Sequence, residues 1–180
     1  MPNYSVGELN PPDRMLLGPG PSNLHPRVLH ALSTPIIGHL DPAFLAIMDE
    51  TCGLLRETFK TANQLTIPIS GTASAGMEAA ICNLVEPGDT VVIGVKGVFG
   101  QRMAEMAGRV GGNVVMLQSE WGKPFPPEVL ERELSKHASV KLVTAVHAET
   151  STGVLQPLED LSRLAKDHQA LFMVDAVTSL

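Results

Sequence analysis

Aromatic side chains are scarce in this sequence, since Phe, Tyr and Trp together make up 4% of its 180 residues. Cysteine is nearly absent as well: only Cys52 and Cys82 are present, and their spacing is not that of metal ligands. We therefore expect no metal site, and we expect aliphatic side chains and methionine to fill the core. Both cysteines fall in predicted helices, where we expect them to be reduced and buried.

Basic charge is also in short supply, because 13 Lys and Arg stand against 19 Asp and Glu and the formal net charge is −6. Nucleic acids and anionic membranes bind strongly basic surfaces, so neither is an expected partner. No apolar stretch reaches the roughly 18–20 residues of a membrane span, and the N-terminus lacks signal- and transit-peptide patterns. These absences predict a cytoplasmic protein, although a peroxisomal signal at a C-terminus beyond residue 180 stays open.

What the sequence does contain is a regular alternation of β-rich and helical segments. Hydrophobic residues make up 44% of the chain, which is enough for one sizeable core. The β-rich runs cover residues 65–69, 90–95, 113–117, 140–146 and 170–174, and helical patterns cover 75–85, 99–109, 126–136 and 157–167. This alternation predicts an α/β fold with a mainly parallel, helix-covered sheet. The last run is apolar on both faces, which predicts a strand buried between two helix layers.

The first part of the chain has a different character. Residues 1–22 are rich in Pro and Gly and predict an extended arm. A short helix is expected over residues 25–32, and Asp41-Pro42 begins a longer helix that reaches Phe59. At the other end the sequence stops just after Asp175 with no closing helix. We therefore expect residues 23–180 to be the N-terminal part of a larger, truncated domain.

The stretch ISGTASAGMEAA, residues 69–80, predicts a strand, a turn of small residues and the start of a helix. Its two glycines have the spacing of a P-loop, but Met77-Glu78 stand where the Lys-Ser/Thr pair would be, and the dinucleotide fingerprint is absent. The amides of a helix N-terminus and the hydroxyls of Thr72 and Ser74 could still bind a phosphate. The alternative is an ordinary helix that Thr and Ser cap.

Other candidate ligands follow the later strands, at the carboxyl edge where parallel sheets bind ligands. Asp175 ends an apolar run, and a pyridinium nitrogen would be a suitable partner for its carboxylate. It could instead cap the next turn or bind magnesium. Phe99 lies between two glycines and could stack on a flat cofactor or pack into the core. Thr150 offers a hydroxyl to the same ligand, or forms a plain turn.

Taken together, these segments resemble the class V aminotransferases, pyridoxal-phosphate (PLP) enzymes of fold type I, and most of all those acting on alanine–glyoxylate, serine–glyoxylate and serine–pyruvate. The resemblance is carried by ordered blocks at the family's spacing. They are GPGPSNLHPRVL, SGTASAGMEAAICNLVEPGDTVVIG, KGVFGQR, HAETSTGVLQPL and LFMVDAVTSL. It implies that residues 23–180 are the N-terminal part of the PLP-binding large domain, and that the full enzyme is a transaminase.

The resemblance also implies roles for individual residues. The family's phosphate-binding positions match Thr72, Ala73 and Ser74. Phe99 matches the aromatic residue that stacks on the pyridine ring. Thr150 matches a hydroxyl near the phenolic oxygen of the ring, and Asp175 matches the aspartate on the pyridine nitrogen.

Three further implications concern the complete enzyme. The segment Gly18, Pro19, Gly20 matches an arm that lies near the substrate at the interface of a homodimer. The family's Schiff-base lysine would come about 25 residues after Asp175 and is not in this chain, so we expect the 180 residues alone to be inactive. A desulfurase-like lyase of the same family, a non-catalytic α/β interaction module and a nucleotide-binding domain are the alternatives.

Overall fold

A computed structural model describes residues 7–180, which divide into two compact units between Ala46 and Ile47. In the first unit, residues 7–24 contain neither helix nor strand and are exposed. The side chain of Asn23 accepts from the amide of Leu16 and donates to the carbonyl of Arg14, each at 2.8 Å. Hydrogen bonds of the Asn23 side chain therefore link two parts of the predicted arm. Residues 1–6 of that prediction lie outside the described residues.

The first two helices begin at prolines, as the sequence predicts. Helix α1 spans Pro26–Leu32, and α2 spans Pro42–Phe59. The carboxylate of Asp41 accepts from the amide of Ala43 at 2.8 Å, which is the expected N-cap. Neither helix contains a fully buried residue in the described part of the chain.

The second unit is built on a parallel sheet. Its strands are β1 (Thr90–Val95), β2 (Asn113–Gln118), β3 (Leu142–Val146) and β6 (Leu171–Asp175), in the spatial order β2-β1-β3-β6. All three pairings between these strands are parallel. A separate short hairpin pairs β4 (Ala148–Glu149) with β5 (Val154–Leu155) and was not predicted.

Helices cover both faces of this sheet. They are α3 (Ala73–Leu84), α4 (Val98–Arg109), α5 (Pro127–Leu134) and α6 (Glu159–Asp167). One core cluster joins α3 and α4 to the sheet through residues such as Ile81 and Met103. The other joins α5 and α6 to it through Leu130 and Leu161. The predicted fold class, a parallel helix-covered sheet, is confirmed.

The run at residues 65–69 is not a strand, so this part of the prediction is wrong. A strand exists only where its backbone groups pair with a neighbour, and within residues 7–180 this segment has no partner. Leu65 is 81% exposed and Ile67 is 55% exposed. The β-branched composition that suggested a strand therefore has nothing to pack against in the described structure.

The last strand and the cysteines also differ from expectation. Strand β6 is half-buried rather than buried, because it ends the sheet and pairs only with β3 in the described part of the chain. Cys52 is half-buried and Cys82 is exposed, and both are free thiols. Neighbouring positions on a helix point about 100° apart, so the burial of Ile81 turns Cys82 towards solvent.

Candidate functional site

The candidate residues gather at the carboxyl edge of the sheet because the strands are in parallel register. Val146, the last residue of β3, is opposite Asp175, the last residue of β6. The amide of His147 then donates to the carbonyl of Asp175 at 2.9 Å, which extends the pairing by one residue. Lys96 follows directly after β1, whose neighbours are β2 and β3. Three strand ends therefore deliver side chains to one edge.

The turn before α3 leaves the N-terminus of the helix available. Gly71 has φ of +148°, and a Cβ there would lie 2.8 Å from the Cβ of Ala75, so the position requires glycine. Thr72 is the N-cap residue, but its side chain makes no capping hydrogen bond within the described structure. The first amides of any helix have no intrahelical acceptor. The alternative of a helix capped by Thr72 is therefore not what the structure contains.

Helix α4 is held at its first turn by Glu149. This carboxylate accepts from the amides of Phe99 at 3.4 Å and Gly100 at 3.3 Å, and it is 1% exposed. A carboxylate is favourable there because the positive end of the helix dipole faces it. Gly97 makes the approach possible, since a Cβ there would lie 2.5 Å from the Cγ and Cδ of Glu149.

Arg102 connects α4 to the first turn of α3. Its guanidinium donates to the hydroxyl of Ser74 at 2.9 Å and lies 5.1 Å from the centre of the Phe99 ring. Phe99 and Arg102 are three residues apart, so they share one face of the helix. Sequence reasoning gave no role to Arg102 or to Glu149. Arg102 ends the block KGVFGQR, and Glu149 is in the block HAETSTGVLQPL. Each is a charged residue close to a predicted ligand residue, and that proximity could have indicated a role in the site.

Lys96 is a buried lysine at the same edge, with 1% of its surface exposed. Its ammonium donates to the carbonyl oxygen of Val146. Burial lowers the pKa of Lys96, and the nearby carboxylates of Glu149 and Asp175 oppose that shift. The sequence alone assigned no role to this lysine.

Asp175 and Thr150 also have partners in the structure. The Asp175 carboxylate accepts from the amide of Val177 at 3.0 Å, so it does cap the next turn, an alternative that the sequence left open. Its side chain is half-buried. The hydroxyl of Thr150 forms a hydrogen bond with that of Thr178.

A narrow cavity brings most of the candidates together. Its lining includes residues from the α3 turn, from α4 and from the ends of β3 and β6. The predicted cofactor residues among them are Ala73, Ser74, Phe99, Thr150 and Asp175. Thr72 does not line the cavity and lies one residue before it, at the helix N-cap. Gly18, Pro19 and Gly20 belong to the first unit, where they are exposed.

A larger cavity of about 310 Å³ adjoins the narrow one and shares Ala73, Met77, Asp175 and Val177 with it. Its remaining lining is mostly apolar and includes Phe59 and Met173. The polar groups suited to a charged ligand therefore lie on the narrow side. Among residues 7–180, His, Cys, Asp and Glu nowhere form a group of three that could hold a metal ion. No helix in that range is both long and apolar enough for a membrane crossing.

Comparison with known proteins identifies the family to which these features belong. The family model described as aminotransferase class V matches residues 16–180. The chain belongs to the class V aminotransferases. It is 46% identical over 173 residues to the (S)-ureidoglycine–glyoxylate transaminase of Bacillus subtilis, a match covering 96% of the chain and 41% of the relative. It is 44% identical to the alanine–glyoxylate aminotransferase of Mus musculus, with the same two coverages.

Solved structures agree with the sequence comparison. The crystal structure of an alanine–glyoxylate aminotransferase from Nostoc sp. matches with a TM-score of 0.94 and 51% identity. That match covers 98% of this chain and 47% of the solved one. This class V chain thus spans less than half the length of the relatives that it matches.

The class V site has the donors and the surfaces that PLP requires. A phosphate needs hydrogen-bond donors and positive charge, which the N-terminus of α3, Ser74 and Arg102 provide together. A pyridine ring needs an apolar face, and Phe99 offers one in the same cavity as Asp175. A carboxylate is a suitable partner for the ring nitrogen when that nitrogen is protonated. The chemistry of this donor set fits the cofactor.

Proposed function

We propose that this chain forms the PLP-binding part of a transaminase that transfers an amino group from alanine or serine to glyoxylate or pyruvate. The observation that carries the proposal is the common cavity shared by Ser74, Phe99 and Asp175, which come from the first turns of α3 and α4 and from the end of β6. The names of the two curated relatives both contain glyoxylate, which favours glyoxylate as the acceptor. The amino donors in the two names differ, ureidoglycine in one and alanine in the other. Ureidoglycine is therefore tested as an amino donor together with alanine and serine.

Each residue would have a defined task. The amides at the start of α3, together with the hydroxyls of Thr72 and Ser74, would bind the phosphate group. Phe99 would stack on the ring and fix its plane. Thr150 would donate its hydroxyl hydrogen bond near the phenolic oxygen of the ring.

Asp175 would hold a proton at the ring nitrogen. Its carboxylate is the ionised partner that keeps such a nitrogen protonated. When bound, the protonated cofactor supplies an electron sink for the substrate carbon that loses its proton. For this role the carboxylate would keep its position at the end of β6 while its hydrogen bond from Val177 holds the side chain in place.

A base for the substrate proton must come from elsewhere. Lys96 does not suit this task, because it is buried and its ammonium is already bound to the carbonyl of Val146. We propose that the covalently bound lysine lies beyond residue 180, that the full protein is a cytoplasmic homodimer, and that the arm of residues 1–22 brings Gly18, Pro19 and Gly20 near the substrate. The 180-residue chain would then bind the cofactor without turning over substrate.

Binding is tested with 4′-deoxypyridoxine 5′-phosphate, which lacks the aldehyde and cannot react with surface lysines. We expect this analogue to raise the thermal midpoint of the chain, because a ligand that binds only the folded state stabilises it. Its unphosphorylated form should produce a much smaller shift. If neither compound changes the midpoint, the alternative of a non-catalytic interaction module stands.

Activity is tested separately. The chain incubated with PLP, alanine and glyoxylate should form no glycine, and glycine formation would refute the assignment of the lysine beyond residue 180. The protein encoded by the full coding sequence is assayed with alanine, serine and ureidoglycine as amino donors, and separately with cysteine. The comparison separates a transaminase from a desulfurase-like lyase. Release of sulfide from cysteine, with no amino transfer, would favour the lyase.

A further inference from the structure

Lys96 occupies an unusual position for a charged side chain. It follows the last residue of β1, yet it is 1% exposed, and its ammonium donates to the carbonyl of Val146. Val146 ends β3, lines the narrow cavity and is in register with Asp175. The side chain therefore spans from one strand end to the next, directly behind the candidate site.

The hydroxyl of Thr152 donates to the carbonyl of Lys96 at 3.2 Å. This bond ties the backbone of Lys96 to the loop that contains Glu149. The side chain of Lys96 is thus fixed by the last residue of β3, and its main chain by the hairpin that follows β3.

Two carboxylates on other elements act on the charge of Lys96 without forming an ion pair with it in the described structure. Glu149 comes from the hairpin after β3 and Asp175 from the end of β6, and both interact favourably with the charge of Lys96. Glu149 is as buried as Lys96 and binds the first turn of α4 through the amides of Phe99 and Gly100. Lys96 is thus hydrogen-bonded to the end of β3, in register with Asp175, and to the hairpin whose Glu149 binds the helix that carries Phe99.

Removing one charge from such a cluster is unfavourable. A buried carboxylate that loses its counter-charge is left uncompensated, and it then moves towards water or takes up a proton. Either response in Glu149 would loosen the first turn of α4 and displace Phe99. The carbonyl of Val146 would lose its donor in the same substitution.

We propose that Lys96 is a positioning residue of the cofactor site: its buried ammonium balances Glu149 and Asp175 and thereby holds the Phe99 turn and the end of β6 in their binding geometry. This inference rests on the proposed function, because it assigns to Lys96 a task toward the same cofactor. Lys96 makes no contact with the cofactor in this account and acts through its neighbours.

The test measures the affinity of the chain for 4′-deoxypyridoxine 5′-phosphate by calorimetric titration. We expect Lys96→Met, which keeps the length of the side chain without its charge, to weaken binding by about tenfold, the lower end of what loss of a supporting residue costs at metal sites. Lys166→Met removes an exposed lysine from α6 and is the matched control, with unchanged affinity expected. Equal affinity of Lys96→Met and the wild type would overturn the inference.

A second variant separates charge balance from simple packing. In Lys96→Met/Glu149→Gln neither of these two buried charges remains, so we expect it to bind more tightly than Lys96→Met alone. The double variant can also be measured if Lys96→Met alone fails to fold. A double variant that binds no better than the single one, or one that fails to fold just as the single one does, would contradict the charge-balance role.

The pH profile is a readout that packing alone would not change. Because Lys96 loses its charge as the pH rises, the affinity advantage of the wild type over the double variant should shrink towards alkaline pH. An advantage that is constant with pH would count against the inference. A wild-type chain that does not bind the analogue at all would overturn the proposed function itself, so the two failures are distinguishable.

Discussion

The guanidinium of Arg102 in α4 donates a hydrogen bond of 2.9 Å to the hydroxyl of Ser74 in the first turn of α3. The same guanidinium lies over the Phe99 ring. One side chain thus links the part of the site suited to phosphate with the part suited to a ring. It also brings a positive charge to a turn whose own residues are neutral.

Arg102 should therefore matter for the affinity of the phosphorylated analogue. We expect Arg102→Gln to weaken binding by about ten- to a hundredfold, since a charge-assisted hydrogen bond is worth about 1.5–3 kcal/mol. Arg109→Gln on the same helix removes only an exposed pair with Glu105, 3.6 Å apart, and should leave the affinity unchanged. Titration calorimetry of both variants checks this, and equal losses would contradict a specific role for Arg102.

The ring of Phe99 should contribute through stacking. Phe99→Ala should weaken binding of the analogue by roughly two- to tenfold, because aromatic stacking is worth about 0.5–1.5 kcal/mol. Phe99→Trp keeps an aromatic face and should retain most of the affinity. If the alanine variant bound as tightly as the wild type, Phe99 would be a packing residue only.

Gly97 should be intolerant of any side chain. A Cβ would meet the carboxylate group of Glu149, so Gly97→Ala should lower the unfolding free energy by about 1–3 kcal/mol, the usual cost of overpacking. Gly108→Ala, near the end of the same helix, meets only Val114 at 4.0 Å and should raise stability slightly if it changes at all. Urea denaturation measures both. A harmless Gly97→Ala would mean that Glu149 is not held against α4.

The burial of Lys96 should be visible in the stability of the chain as well. Burial lowers its pKa in the folded protein, so between that pKa and the ordinary value of about 10.4 the unfolded chain binds more protons. The unfolding free energy should then rise with pH across this window. Lys96→Met should lack that rise, and parallel urea titrations of the two proteins at several pH values up to about 10 measure it. Identical slopes would contradict a buried, charged Lys96.

Much of the sheet could be predicted because its central strands are buried on both faces. Strand β1 is buried at all but its first residue and β3 throughout, and each is rich in β-branched residues with no charged residue. The segment at residues 65–69 has a similar composition but pairs with no strand within residues 7–180, and composition alone does not specify a pairing partner. Pairing across a sheet is a tertiary property, so this segment could not be settled from local pattern.

The site was predicted where residues follow strand ends, and missed where residues act on other residues. Phe99 and Asp175 were found because parallel strands place ligands at the carboxyl edge. Glu149 binds amides that lie 49 and 50 residues earlier in the sequence, and Arg102 reaches a hydroxyl 28 residues away. Such contacts depend on how α4 packs on the sheet, which spacing along the chain does not encode.

The most direct test of the account is a calorimetric titration of the 180-residue chain and its Asp175→Asn variant with 4′-deoxypyridoxine 5′-phosphate. Asparagine has nearly the same shape as aspartate but no negative charge. The variant therefore cannot stabilise a protonated ring nitrogen as the carboxylate would. We predict saturable binding at one molecule per chain, clearly weakened in the variant and lost for the unphosphorylated analogue. Absence of binding by the wild type, or equal binding by Asp175→Asn, would contradict the central claim that these strand-end loops form a site for pyridoxal phosphate.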